Sequence, residues 1–177
     1  MAALPDLITV AQFREMPEDE AYSYELHHGE VVAVTRPKYW HIYRQQQIRD
    51  LLQPKLSAFE VLVELSFRPV PEFDIRVADV GAITRSRHDS AWQRGDVFGA
   101  PELVIEVKSP SNTKRELQER ASVCLTHGSL EFWIVDEEHR TVAVFHCDGS
   151  KAVYRTGDAI PLTAFGSDGL SVDEIFA

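Results

Sequence analysis

The sequence predicts an α+β fold, a mixed and mostly antiparallel sheet with its two longest helices packed on it. Three observations carry this. The last third alternates apolar and polar residues as a strand meander, over Glu131–Asp136, Thr141–Cys147 and Lys151–Thr156, with Asp148-Gly149 as a hairpin turn. Two segments, Lys38–Leu56 and the one opening at Thr113, repeat their apolar residues at helical spacing. Between them Glu102–Ser109 (ELVIEVKS) is a short β-branched run of the kind buried on both faces in a central strand. The 177 residues contain no repeat and no linker, and a chain of this length supports one core, so residues 1–177 read as a single domain.

Taken in order, Thr9–Met16 reads as a short helix, with Thr9 and Gln12 as a capping box and Pro17 as its stop. Tyr22–His27 and Glu30–Thr35 form a hairpin about His28-Gly29, where glycine accepts positive φ. In Lys38–Leu56 the apolar spacing is Ile48, Leu51, Leu52, and Pro54 ends the regular part. Phe59–Arg68 and Ile75–Thr84 are strands, the first alternating Val61, Val63, Leu65, Phe67. The polar stretch 85–99 reads as a loop. Thr113 and Glu116 cap a helix whose stripe is Leu117, Ala121, Cys124 and Leu125, with Gly128 just past its end. A short last helix starts at Ser171.

Composition excludes several classes. With 44% hydrophobic and 26% charged residues the chain is an ordinary globular one. No apolar run approaches the ~20 residues of a membrane span, and MAALPDLITV has no secretory pattern. Cys124 and Cys147 lie singly, without metal-site spacing, and read as reduced thiols of a cytoplasmic protein. The net charge of -10 favours neither nucleic acid nor a membrane surface.

The chemistry lies in Glu106-Val107-Lys108. On a strand these two charged side chains share a face, roughly 6.5–7 Å apart. Mid-strand charges are costly unless paired, metal-bound or wet. The plain alternative is an internal Glu106–Lys108 ion pair. Asp79 sits in the other apolar strand, IRVADVGAI, and if the strands are neighbours Asp79 and Glu106 converge. Their repulsion is resolved by a divalent cation, and magnesium is commonly held by one or two carboxylates with waters and substrate phosphates. Lys108 beside it would orient or deprotonate water, a layout for phosphodiester hydrolysis.

Asp79 followed by Glu106-x-Lys108 on the next core strand resembles the PD-(D/E)XK nuclease signature. The segments TVAQFREMPEDEAYSYELHHGEVVAV, APELVIEVKSPSNTKRELQER…GSLEFWIVD and GLSVDEIF resemble the Uma-two family of restriction endonuclease-like proteins, from about Thr9 to Phe176. The resemblance implies a PD-(D/E)XK restriction-endonuclease-like core and a magnesium-dependent nuclease site, with manganese able to substitute. It places motif positions on Glu25, Asp79, Glu106 and Lys108, with Asp79 and Glu106 as metal ligands and Glu25 assisting. The family's usual proline before the aspartate is Ala78 here. Its lysine in the following helix is Arg120, and its tyrosine is Cys124. Arginine stays protonated and makes a poor base, so Lys108 is the expected working cation and Arg120 a phosphate contact.

His41, near a helix start after Trp40, is expected at most to contact phosphate or support the site. The adjacent His27 and His28 point to opposite faces and cannot chelate together. Phe132 and Trp133 read as core, and Ser109 has no base beside it. DNA binding rests on phosphate contacts by Lys and Arg. The candidates are Lys38, Arg44 and Arg49 on one helix, Arg85 and Arg87 after the Asp79 strand, and Lys114 and Arg115 after Lys108. The resulting expectation is a metal-dependent DNA endonuclease, with a homodimer as the symmetric way to nick both strands. The rivals are a nuclease-fold binding module with weak or no chemistry, which the acidity favours, and a hydrolase of a small phosphodiester.

Overall fold

The computed structural model describes residues 7–17, 22–34 and 37–177. The expected α+β architecture is the one found: a six-stranded, mostly antiparallel sheet flanked by helices. The short first helix α1 (Val10–Arg14) carries the Thr9–Gln12 capping box. Strands β1 (Ser23–His27) and β2 (Glu30–Val34) pair around His28 and Gly29, both at positive φ (51° and 81°), as a two-residue primed turn requires. Residues 1–6, and Thr35 at the expected strand end, lie outside the described residues. The second helix is α2 (Tyr39–Leu52), which stops just before Pro54 as expected, with residues 53–55 forming a turn.

The sheet runs β3-β4-β5-β6-β7-β8, with β3 (Phe59–Phe67), β4 (Arg76–Thr84), β5 (Leu103–Val107), β6 (Glu131–Asp136), β7 (Thr141–His146) and β8 (Lys151–Arg155). Only β5 and β6 pair in parallel, and the crossover between them is helix α4 (Lys114–Thr126), capped by Thr113 and Glu116. A small β9–β10 ladder (Ala159–Ile160 with Leu170–Ser171) leads into α5 (Val172–Ile175).

The stretch 85–99 is a correction. Its first part is a helix, α3 (Arg85–Arg94), closed by Gly95 in the left-handed conformation. None of its residues is buried, so there was no apolar stripe to read. Arginines anchor it instead. Arg85 donates to Ser57 O, and Arg87 donates to Ala100 O and pairs with Glu102 at 2.8 Å.

Two apolar layers sandwich the sheet. One, under α2 and α5, contains Ile48, Leu52, Val61, Val80, Ile105, Trp133 and Val135. The other, under α4, contains Leu65, Phe67, Ala78, Val104, Ala121, Cys124 and Phe132. Val61 and Leu65 are four residues apart on one strand and should share a face, yet they lie on opposite ones. The alternation breaks at Glu64, a non-glycine residue at φ 49°, and β4 breaks with it between Ala78 and Val80. Register is kept, with Val63 opposite Val80 and Leu65 opposite Ala78. A left-handed non-glycine residue costs roughly 1–2 kcal/mol, so this twist of the strand pair is maintained by what surrounds it. The outer edge of β3 is covered by side chains from α2's end: Gln53 accepts from Val61 N at 2.9 Å and donates to Phe59 O at 3.2 Å.

The β1–β2 hairpin docks through Leu26, which pairs with Ile75, and through a charged cluster beside it. Asp74 and Arg76 are fully buried and joined at 3.1 Å. Arg76 also forks onto Glu119 of α4 at 2.9 and 3.0 Å, while the His28 amide donates to Asp74. Breaking a buried pair leaves an uncompensated charge, which costs about 3–5 kcal/mol. Arg76→Met should therefore lower unfolding stability by about that much, and pairing it with Asp74→Asn should recover most of the loss in urea titrations. Partial burial pushes Glu119 up, but Arg76 and His28 outweigh it and hold its carboxyl at about 2, against an ordinary 4.5. A depressed carboxyl stabilises the fold above its unfolded value. Acid melts should thus lose this contribution between pH 4.5 and about 2, and Glu119→Gln should remove that part of the slope.

Candidate active site

The β4–β5 ladder runs Ala82–Leu103, Gly81–Val104, Val80–Ile105 and then stops. One step further Asp79 would face Glu106. Instead the Asp79 carboxylate enters the opening between the strands, and its Oδ2 accepts the Val107 amide at 2.6 Å. Its Oδ1 turns to α2, taking Gln45 Nε2 at 2.9 Å and His41 Nε2 at 3.0 Å. Gln45 also donates to Glu64, so one amide ties together the two carboxylates at the break in the strand faces. Burial works against a charged His41, but Asp79, with Glu64 and Glu137 behind it, prevails and raises its pKa.

Glu106 points to the other side of the sheet, toward α4. It is buried, and Arg120 Nε donates to its Oε1 at 3.1 Å. Arg120 also holds Glu25 of β1 at 3.2 Å and donates to Val77 O. Burial drives the Glu106 carboxyl well above its usual range. Arg120 opposes that, while Asp79 and Glu25 add to it. For Glu25, burial is outweighed by His27, which bonds its Oε2 at 2.7 Å, and by Arg120, so its carboxyl titrates low. The Arg120 fork thus joins Glu25 and Glu106, while Asp79, held by Val107 N, Gln45 and His41, acts on Glu106 through its charge. Asp79 and Glu106 approach each other from opposite faces, not from one.

Lys108 lies just past the end of β5, and the intrastrand pair with Glu106 does not form. Its Nζ binds Asp136 at 2.7 Å, at the end of the neighbouring β6. Lys114 is exposed at the start of α4 and forms no ion pair among the described residues. Of the other basic candidates, Arg44, Arg49, Arg85 and Arg87 are all paired with carboxylates, whereas Lys38 and Arg115 form no ion pair among the described residues. His27 and His28 part as expected, to Glu25 and to the Asp74–Arg76–Glu119 cluster. Phe132 and Trp133 are fully buried.

Gln45 and Glu64 escaped the sequence reading. Stepping back one turn and two turns from Ile48 along the buried stripe of α2 reaches Gln45 and then His41, polar residues on an apolar face, which is a legible signal. Glu64 carried none, because it sits where a half-exposed strand normally bears a polar residue.

For a metal, the donors at the fork are carboxylate oxygens, the hard ligands that magnesium takes. Glu106 Oε2 accepts no hydrogen bond among the described residues, and Arg120 is the cation that presently balances Glu106 and Glu25. The chemistry of these donors suits a divalent cation, although among the described residues no three of their ligand atoms lie within 4.8 Å of one another. A tighter cluster, Asp136, Glu138 and His139, lies within 4.8 Å, but there Asp136 serves Lys108, His139 and the turn amides.

A family model described as "Putative restriction endonuclease", Uma2 (Uma-two), matches residues 10–173. A crystal structure of "a putative nuclease belonging to DUF820" from Anabaena variabilis ATCC 29413 superposes with a TM-score of 0.80 at 22% identity, covering 96% of this chain and 97% of that one. That likeness is one of fold, while the family match points to a nuclease. No curated protein matches the chain.

Arg120→Met should strand two buried carboxylates and destabilise the protein by about 3–5 kcal/mol. Glu106→Gln in the same chain should restore part of this, giving a coupling in a double-mutant cycle that distant residues lack.

Proposed function

The chain belongs to the Uma2 family, described as "Putative restriction endonuclease", and from that premise we propose that it is a divalent-metal-dependent endonuclease acting on DNA. The observation that carries this is the fork itself. A buried glutamate in a core strand, Glu106, is pressed by two further carboxylates, Asp79 and Glu25, where the β4–β5 ladder opens. Such groups are expensive to hold together and are concentrated at functional sites.

Asp79 and Glu106 would hold magnesium or manganese. The bound cation supplies Lewis acidity toward a phosphate oxygen and a lowered pKa of water. The rest falls to the chain. The Val107 amide, Gln45 and His41 fix the Asp79 rotamer from three directions. Glu25 keeps Arg120 beside Glu106, so the site stays near charge balance before substrate arrives. Lys108 would orient the attacking water by donating to it, or take its proton only after leaving Asp136 and giving up a proton of its own; the pairing with Asp136 sets where the ammonium starts from. Arg120 and Lys114 would meet the phosphate backbone.

A binding module without chemistry is the second reading. It is favoured by the engagement of Arg120 and Lys108 with carboxylates, which leaves neither cation free.

We expect cleavage of DNA with magnesium or manganese and none with chelator. Glu106→Ala and Asp79→Ala should each abolish it, and full activity in either sinks the site. Lys108→Ala should keep metal affinity and lose about a hundredfold or more in turnover. Manganese should raise the melting temperature of the wild type, about 2.7 kcal/mol of stabilisation at one hundred times its dissociation constant. A flat titration without cleavage would leave the binding module.

A further inference from the structure

Resting on the metal reading of Asp79 given above, we propose that Glu64 is a positioning residue of that site. Its carboxylate acts through Gln45 and holds the Asp79 carboxylate in the orientation that receives the cation.

Glu64 and Asp79 occupy one row of the sheet. Val63 lies opposite Val80 and Leu65 opposite Ala78, so Glu64 faces Asp79 across the β3–β4 ladder. On the other side of β4 the row continues to Glu106, one step beyond the Val80–Ile105 pair. Like charges directly opposite each other destabilise a strand pair. Between Glu64 and Asp79 the conflict is met by Gln45 of α2, which is 1% exposed. Its Nε2 donates to Asp79 Oδ1 at 2.9 Å and to Glu64 Oε1. A side-chain amide nitrogen carries two hydrogens, and here each carboxylate takes one. Glu64 thereby decides which end of the amide meets Asp79. Turned over, Gln45 would set its carbonyl oxygen against Asp79 Oδ1 and repel it, while Glu64 would lose its donor. With the amide locked, Oδ1 is kept against α2 and Oδ2 stays on the Val107 amide at 2.6 Å.

Glu64 holds this place against its own backbone preference. Its φ of 49° lies in the left-handed region, which glycine enters freely and glutamate does not. The residue is exposed, so no core contact of its side chain calls for glutamate. Under ordinary alternation Val63 and Leu65 would share a face and Glu64 would point away from it. Instead Val63 packs in the α2 layer, Leu65 packs in the α4 layer, and Glu64 reaches Gln45 of α2. Strained backbone persists only where the surroundings over-determine it, and it concentrates at functional sites. What the strain secures here is the hydrogen bond from Gln45.

The test pairs two measurements on the full chain: manganese affinity, from the electron paramagnetic resonance of the free ion during a titration, and thermal melts in chelator. Glu64→Gly relieves the left-handed strain and the like-charge pair, so it should melt at or above the wild type. It should nevertheless bind manganese about tenfold more weakly or worse, as loss of a ligand's supporting partner does. Glu64→Gln keeps an acceptor for Gln45 and should retain most of the wild-type affinity. Gln45→Ala should show the glycine variant's loss, and adding Glu64→Gly to it should cost nothing further, because both changes cut one path to Asp79. Wild-type affinity in Glu64→Gly overturns the proposal. So does a loss in Glu64→Gln as large as in Glu64→Gly, since charge or direct ligation would then be what Glu64 supplies. An affinity loss accompanied by a lowered melting temperature in Glu64→Gly overturns it too, as does full additivity in the double variant. A wild type that binds no manganese removes the metal site and the positioning role together, whereas binding indifferent to Glu64 removes only the role of Glu64.

Discussion

The candidate site depends on one hydrogen bond, from the Val107 amide to Asp79 Oδ2. In a continuing antiparallel ladder that amide would find a backbone carbonyl of β4. Here a side chain takes the carbonyl's place, and the two strands part. The exchange satisfies a buried donor that would otherwise cost about 1–3 kcal/mol, and it fixes the carboxylate at the mouth of the gap. Gln45 and His41 bond Asp79 from α2, and Glu106 emerges across the opening. The break in alternation at Glu64 belongs to the same event. It lets β3 and β4 turn two acids toward α2 while their apolar neighbours still fill both layers.

Around this gap one guanidinium does the balancing. Arg120 spans β1, β4 and β5 by way of Glu25, the Val77 carbonyl and Glu106. Its neighbour on α4, Glu119, binds Arg76, so consecutive residues of one helix turn serve two charged networks. The β1–β2 hairpin is attached through both. Glu25 reaches the site because Leu26 and His28, which follow it in the chain, are anchored to Ile75 and Asp74 of the segment that leads into β4.

Most of the scaffold was legible because it obeys simple periods. The capping boxes at Thr9 and Thr113, the helix start at Ser171, the His28-Gly29 turn and the apolar run through Ile105 are each local signals, and each led to the element found. Helix α3 was not, because arginine contacts hold it and no apolar stripe does. At the site, Asp79 and Glu106 announced themselves as acids in apolar strands. Their approach from opposite faces could not be read, since strict alternation assumes the flat strand that Glu64 breaks. Nor could the pairing of Lys108 with Asp136, because the partner arrives through a parallel crossover 28 residues away in sequence.

Gln53 bears on how the sheet is bounded. By giving Val61 an acceptor and Phe59 a donor, its amide behaves as a fragment of an absent neighbouring strand. An unprotected outer strand is a template for edge-to-edge aggregation, and Gln53 closes the first residues of β3 to that route. The opposite border, β8, carries Lys151 and Arg155 as exposed charges, and charged side chains, lysine above all, discourage strand addition there. Both borders of the sheet thus carry a deterrent to growth, at one a glutamine posing as backbone over the first residues of β3, at the other the like charges of β8.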